Sequence, residues 1–283
     1  MSKYVILGSN GIVGRSLLSE LPKFGHEVLG LNRNNLNIHS QIEISELVKN
    51  KSETIFVNCI AYMPADKCET DAENSSKINI NFVNTLAKEI EKTKSNSLVH
   101  FSSDFIFDGN SVEPYTESSE PRPLNVYGRQ KVQTEFMIQE ILVNRGKIIR
   151  FASLVAKTQE RKTFLEKVID RAKETKSARV VDDLRISTTT IDLLTSTVAG
   201  LHNIEKPIIH AVHQEETSWF KIAQLAFEVL GIDVLMEAIP HTAFNTPAPR
   251  PIYSVMKPSP EVVDIDNRNW HDAISDFCIR YFR

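Results

Sequence analysis

The sequence predicts an α/β fold: a doubly wound parallel sheet with helices on both faces, followed by a smaller C-terminal lobe. Three observations predict it. Short β-rich runs alternate with amphipathic helical stretches through the first half of the chain. Those runs are apolar almost throughout, as strands covered on both faces must be. Three glycines follow the first run and open the first helix.

The elements follow in order. "YVILG" (4–8) reads as the first strand, and "GRSLLSEL" as the helix after the glycine turn. "HEVLGLN" (26–32) is the second strand. "SQIE" (40–43) has the spacing of a capping box, so it starts the helix "IEISELVKN". "TIFVN" (54–58) is the third strand, and one long helix is expected through "SSKININFVNTLAKEIEK". "SLVHFS" (97–102) and "GKIIRFA" (146–152) are the fourth and fifth strands, with a helix around "VYGRQK" between them. The second half is less regular. "TFLEKVIDRAKE" and "SWFKIAQLAFEVLG" read as helices, and "ARVVD" and "PIIHAV" as short strands. A Pro-rich loop, "TPAPRPIYS" (246–254), precedes a terminal helical region around "WHDAISDFCIRYF". The expected division is residues 1–153 for the sheet domain and 154–283 for the lobe, with some later strands returning to the main sheet.

Bulk properties narrow the partners. The chain has 283 residues, 41% of them apolar, enough for a sizeable core. Net charge is -3 with both signs spread along the chain, and no basic block suggests nucleic acid. No apolar run reaches the roughly 18 residues of a membrane helix, and no leader pattern precedes the first strand, so a cytoplasmic location is expected. Cys59, Cys68 and Cys278 show no paired spacing, which predicts reduced thiols and no metal.

"LGSNGIVGR" spaces Gly8, Gly11 and Gly14 as a dinucleotide-binding turn does. Gly8 permits the tight turn. Gly11 lets backbone approach a phosphate, Gly14 lets the helix pack close to the sheet, and the helix N-terminus offers free N–H groups to the anion. The domain is thus expected to be a Rossmann-type one. Its turn supplies Gly8, Asn10, Gly11, Ile12, Val13 and Gly14 as cofactor-binding residues. At the end of the second strand, where an acidic residue would favour NAD, stand Asn32 and Arg33. A guanidinium there can hold a 2′-phosphate, which favours NADP(H), with NAD(H) as the second nicotinamide; a plain surface arginine is the other reading.

"LNVYGRQK" (124–131) places Tyr127 and Lys131 one helical turn apart on one face. Either they are an exposed helix pair, or the ammonium lowers the phenol pKa and makes it a proton donor and acceptor for a carbonyl/alcohol pair. The order of glycine turn, "FSSDF" and this helix favours the second reading.

With these pieces the chain resembles an extended short-chain dehydrogenase/reductase, and more narrowly the dTDP-4-dehydrorhamnose reductase family. "VNCIAYMPADKCE" (57–69) is similar to the family's VNAAAYTAVDKAE-type segment, and "VHFSSDFIFDG" (99–109) to its VHxSTDYVFDG signature. "PYTESSEPRPLNVYGRQKVQTE" (114–135), "TSWFKIA" (217–223) and "NTPAPRPIYS" (245–254) match further stretches. The resemblance implies catalysis by Ser103, Tyr127 and Lys131: Ser103 bonds the ketone, Tyr127 delivers the proton, and Lys131 binds the nicotinamide ribose and tunes the phenol. It implies further cofactor contacts at Asn37, Ile38, Ala61, Tyr62 and Met63, and substrate contacts at Ser103, Asp104, Ser153 and Arg250. Asn58, Asn79 and Asp66 read equally as site residues or as turn and capping residues, and His100 as a packed strand histidine.

The pattern departs in two places. The family's RTSWVY appears as "RFASLVA", which puts Ser153 where the family has tryptophan. Its DQxGxPT appears as "DDLRISTT" (182–189). Both changes fall where sugar contacts are expected. The family's metal-binding glutamate is replaced by Arg15 and Ser16, so no metal carries over. The implied activity is NADPH-dependent reduction of a nucleotide-linked 4-keto-6-deoxy sugar by a monomer or homodimer. An epimerase or dehydratase on the same scaffold, or a non-catalytic NADP-binding regulatory subunit, stays open at this point.

Overall fold

The computed structural model describes residues 1–158 and 162–283. In chain order the strands are β1 (Lys3–Leu7), β2 (Glu27–Leu31), β3 (Thr54–Asn58), β4 (Ser97–Ser103), β5 (Gly146–Phe151) and β6 (Leu154–Val155). Then come β7 (Ser177–Val181), β8 (Arg185–Ile186), β9 (Thr189–Thr190), β10 (Ile208–His210), β11 (Leu235–Ile239) and β12 (Tyr253–Ser254). Six of them form one parallel sheet in the spatial order β2-β1-β3-β4-β5-β10. The other six pair as β11-β7, β12-β8 and β6-β9.

The alternation of side chains along β1 shows why the sheet is covered twice. Tyr4 and Ile6 pack on one face with Leu17 of α1 (Ile12–Glu20) and Leu194 and Val198 of α8 (Ile191–Ala199). Val5 and Leu7 pack on the other, against α2 (Gln41–Lys49), α5 (Val83–Glu91) and α6 (Val126–Ile141). Each Leu or Ile buried in these layers contributes about 1.5–3 kcal/mol. The doubly wound sheet is the fold that the sequence predicts. A separate core joins α7 (Phe164–Thr175), α9 (Trp219–Leu230), α11 (Trp270–Phe282) and β7. Two later elements serve the main sheet: β10 pairs with β5, and α8 lies on the α1 face.

Some elements differ in detail from their sequence patterns. Ser40 caps α2 by accepting from the Glu43 N–H at 3.3 Å, but the Glu43 carboxylate reaches past the cap to the Asn37 N–H at 2.9 Å. The long helix forms without a break but carries a π-helical turn. α3 (Ala65–Thr70) and α4 (Ala72–Ser76) lead into a π-helical turn (Lys77–Phe82) before α5. The end of the Pro-rich loop is the short strand β12, paired with β8.

Because β1 lies between β2 and β3, the chain leaves β1 to one side and returns on the other. The crevice at the carboxyl ends of β1 and β3 is therefore the topological switch point where such sheets take ligands. The glycine turn, the 59–63 segment and the turn after β4 all open there.

Candidate active site

The glycine turn is built as its spacing requires. Gly8 has φ 85, and a Cβ there would lie 2.9 Å from Ile60 Cγ1. A Cβ on Gly14 would lie 2.3 Å from the Gly8 carbonyl oxygen. On Gly11 a Cβ would meet only the Gly8 oxygen at 3.3 Å, so this glycine has an open side. Gly11 is the N-cap of α1, and no side chain caps the helix. Its first N–H groups are left for an anion, and the turn fits a dinucleotide pyrophosphate. Ile12 and Val13 are half-buried against the second core. Asn10 accepts a bond from Asn32 Nδ2 at 3.4 Å and, through its backbone oxygen, from Arg15 Nε at 2.9 Å. Asn32 also receives the Asn34 N–H, which shapes the turn carrying Arg33. Arg33 is exposed and pairs with no described residue. Asn37 is exposed and accepts from the His39 N–H at 3.0 Å, whereas Ile38 packs on the core.

After β3, Asn58 accepts the Ile60 N–H and donates Nδ2 to Nδ1 of His100 at 3.1 Å. That fixes the imidazole as the Nε2–H tautomer, which faces Thr134 Oγ1 at 3.4 Å. His100 is buried, and desolvation with the Lys131 charge holds its pKa well below the usual range, so it is a neutral strut between β3, β4 and α6. Tyr62 is clamped from both sides. Asn79 Oδ1 accepts its N–H at 2.8 Å, and Cys68 Sγ donates to its carbonyl at 3.3 Å. Asn79 sits on the π-helical turn and donates onward to Gln130 of α6 at 2.7 Å. Ala61 and Met63 flank Tyr62 on the exposed side of this segment.

α6 begins beneath this segment. Asn125 caps it through the Gly128 N–H at 2.8 Å, and Glu69 accepts the Val126 N–H at 2.6 Å. Gly128 is required by contact: a Cβ there would lie 2.1 Å from the Phe105 carbonyl oxygen. The helix thus rests directly on the turn after β4, which begins at Asp104 and is capped by Ser103, the last residue of the strand. Tyr127 is buried with Tyr62, Ala65, Cys68 and Phe105, and its hydroxyl has no hydrogen-bond partner among the described residues. Lys131 Nζ donates to the Phe101 carbonyl at 2.7 Å and lies 5.5 Å from the Tyr127 ring centroid. Ser103 Oγ donates to Asp104 Oδ1 at 2.9 Å and accepts the Phe105 N–H at 3.2 Å. Ser254 Oγ donates to the other Asp104 oxygen at 2.7 Å.

One electrostatic expectation is corrected. The sequence reading has Lys131 lowering the Tyr127 pKa. In the folded protein burial dominates, joined by the charges of Asp104 and Cys68, and the phenol is pushed up. Lys131 itself is lowered to about 8 by burial, which Glu135 partly opposes. Asp104 is raised to about 6 by burial, against the bonds from Ser254 and Ser103.

Two of the implied substrate residues make no hydrogen bond to this group among the described residues. Ser153 follows β5 with φ 42, a left-handed conformation uncommon for serine. Arg250 forms a two-point ion pair with Asp66, at 2.7 and 2.8 Å, and also bonds the Ala248 carbonyl. Asn79, which the sequence read equally as a site or a capping residue, joins the site, as do two residues beyond the sequence set, Gln130 and Ser254. Asn79 and Gln130 had a usable signal, polar residues on the inner faces of helices that otherwise bury apolar ones. Ser254 is 150 positions from Asp104 and had none.

Fold and site define an extended short-chain dehydrogenase/reductase. Comparison with known proteins gives the narrower placement: the family model described as RmlD substrate binding domain matches residues 2–282, and the chain belongs to that family. A dTDP-4-keto-6-deoxy-D-glucose reductase of Streptomyces niveus is 28% identical over 256 residues, covering 90% of this chain and 88% of that protein. A "Probable dTDP-4,6-dihydroxy-2-methyloxan-3-one 4-ketoreductase" of Streptomyces antibioticus is 30% identical over 257 residues, covering 90% and 86%. The crystal structure of dTDP-4-dehydrorhamnose reductase from Bacillus anthracis in complex with NADP superposes with a TM-score of 0.89 at 25% identity, over 99% of this chain and 100% of that one. No helix among the described residues is long and apolar enough to cross a membrane.

The raised Asp104 pKa has a consequence for stability. A carboxyl that binds its proton more tightly when folded contributes stability below its unfolded pKa and loses it as pH rises through the folded value. Replacing Asp104 by Asn removes this loss. The unfolding free energy of Asp104→Asn relative to wild type should therefore grow by about 2 kcal/mol between pH 4 and pH 7. Urea denaturation of both proteins at the two pH values measures it. A difference that does not change with pH contradicts the raised pKa.

Proposed function

We propose that the protein is a cytoplasmic, NADPH-dependent reductase of the C4 ketone of a nucleotide-linked 4-keto-6-deoxy sugar, acting in deoxysugar and surface polysaccharide synthesis. The observation that carries this is the convergence of Ser103, Tyr127 and Lys131 where α6 lies on the turn after β4, beside the segment that follows β3. The names of the relatives support the substrate class, and a dTDP-linked sugar is the first candidate.

NADPH, when bound, supplies the hydride. Gly8, Gly11 and Gly14 would hold its pyrophosphate, and Arg33, with Asn37 and Ile38 after it, would serve the 2′-phosphate end. Ala61, Tyr62 and Met63 line the other side of the crevice, held by Asn79. The Tyr127 phenol, kept protonated at neutral pH by its raised pKa, gives its proton to the ketone oxygen. Lys131, tied to the Phe101 carbonyl, places a positive charge beside the phenolate that forms. Ser103 and Tyr127 together meet the oxygen charge that develops, in a site screened from water. The family resemblance assigns Asp104 and Ser153 to the sugar side of the site. Arg250, through its pair with Asp66, fixes the Pro-rich loop over α3, and it contacts the nucleotide only with the guanidinium edge left free.

Two variants test the reading. With NADPH and a panel of nucleotide-linked 4-keto sugars, Tyr127→Phe should lower kcat by ~10²–10⁴ while leaving NADPH affinity nearly unchanged. Wild-type protein that consumes no NADPH with any sugar of the panel contradicts the reading. Arg33→Ala should raise the KM for NADPH far more than that for NADH, measured in the same assay. Equal effects on both would show that Arg33 does not read the 2′-phosphate.

A further inference from the structure

The hydroxyl of Ser103 has one proton and two lone pairs. In the folded protein the proton is committed to Asp104 Oδ1, 2.9 Å away, and one lone pair receives the Phe105 N–H. What Ser103 can offer a ligand is its remaining lone pair. A ketone oxygen needs the opposite, a donor. The second Asp104 oxygen cannot release Ser103 from this duty, because it is held by Ser254 at 2.7 Å. Asp104 is 5% exposed, so water does not readily take over either bond.

We propose that Asp104 is a positioning residue that sets the direction of the Ser103 hydrogen bond, so that Ser103 donates to the ketone only when Asp104 carries a proton. The inference rests on the ketoreductase reading above and specifies how that site is regulated. The same 2.9 Å contact serves either direction. With Asp104 ionised, Ser103 donates to it. With Asp104 protonated, the acid donates to the free lone pair of Ser103, and the serine proton turns to the substrate. The proton transferred in the reaction remains that of Tyr127; the Asp104 proton stays on the Asp104–Ser103 axis.

The groups facing Asp104 are few. The turn presents the hydroxyl of Ser103 and the backbone N–H groups of Asp104 and Phe105, and β12 presents the hydroxyl of Ser254. From α6 comes Tyr127, whose phenol feels the Asp104 charge. The hydroxyls and N–H groups stabilise the carboxylate, and burial opposes them strongly enough to bring the acid to about 6. The switch thus lies within reach of ordinary pH.

The test is the pH profile of kcat/KM for ketone reduction in wild type, Asp104→Asn and Ser254→Ala. In wild type the profile should bend near the Asp104 pKa and fall by about tenfold or more over the two pH units above it. Ser254→Ala removes a bond that favours the carboxylate, so its bend should move to higher pH. The amide introduced by Asp104→Asn is neutral at every pH, and the profile of that variant should lack this bend, falling only as Lys131 loses its proton near pH 8, whatever its absolute rate. A merely structural Asp104 predicts that both variants scale the rate equally at all pH values. An unmoved bend in Ser254→Ala, or the wild-type bend persisting in Asp104→Asn, overturns the proposal while leaving the reductase reading intact. Absence of wild-type turnover with every sugar overturns that reading and this proposal with it.

Discussion

The site depends on one contact: the first turn of α6 lies directly on the backbone after β4. Only glycine allows it at position 128, where a side chain would begin 2.1 Å from the Phe105 carbonyl oxygen. The ammonium of Lys131, bound to the Phe101 carbonyl, fastens the next turn to the same strand. From that placement the rest follows. Tyr127, Lys131 and Glu135 fall on one stripe at four-residue intervals and face the sheet rather than solvent. α6 therefore buries a polar stripe where its neighbours bury leucine. Each member has a reason to be there. Glu135 is paired with the buried Arg150 at 2.6 Å, and loss of either partner of such a pair typically costs about 3–5 kcal/mol. Thr134 bonds back to the Gln130 and Lys131 carbonyls and meets His100.

Burial on this stripe decides the chemistry as well as the packing. A phenol beside an ammonium in water would lose its proton more easily; the same pair beneath Tyr62 and Phe105 does not, because the phenolate finds no water and lies near Asp104. A donor that stays protonated suits reduction of a ketone. Lys131 at about 8 keeps most of its charge at neutral pH even though it is buried, and Glu135 one turn on helps to keep it there. Asp104 stands on the other side of the balance. Burying its charge costs stability at neutral pH, and costs of this kind gather at functional sites.

Much of this was legible in the sequence, and the illegible part has physical causes. The six strands of the main sheet, including "PIIHAV", were visible as apolar runs, and α1, α2, α7, α9 and α11 as periodic ones. α8 was not, because "IDLLTSTVAG" is rich in Thr and Ser and reads as a turn-prone segment. In the fold its threonines bond back along the helix, Thr195 to the Ile191 carbonyl and Thr197 to that of Leu193. β11 is mostly exposed and carries no alternation to read. The π-helical turn at Lys77–Phe82 has no residue signature, yet it places Asn79 where both Tyr62 and Gln130 can be reached. The glycine turn was readable from its spacing together with the strand before it and the helix it opens, and the Tyr127/Lys131 pair only once "FSSDF" and the glycine turn were set beside it. The direction of the Tyr127 shift was not, since burial belongs to the tertiary structure, and the Asp104–Ser254 bond joins two distant segments with no shared pattern.

A crystal structure of the protein with NADP and an unreactive nucleotide-linked sugar measures the central claim most directly. The account predicts that the Tyr127 phenol oxygen and the Ser103 hydroxyl both lie about 2.6–3.2 Å from the same C4 oxygen of the sugar, with Lys131 at the nicotinamide ribose. A phenol oxygen turned away from that atom, or a sugar seated away from the turn after β4, would contradict it.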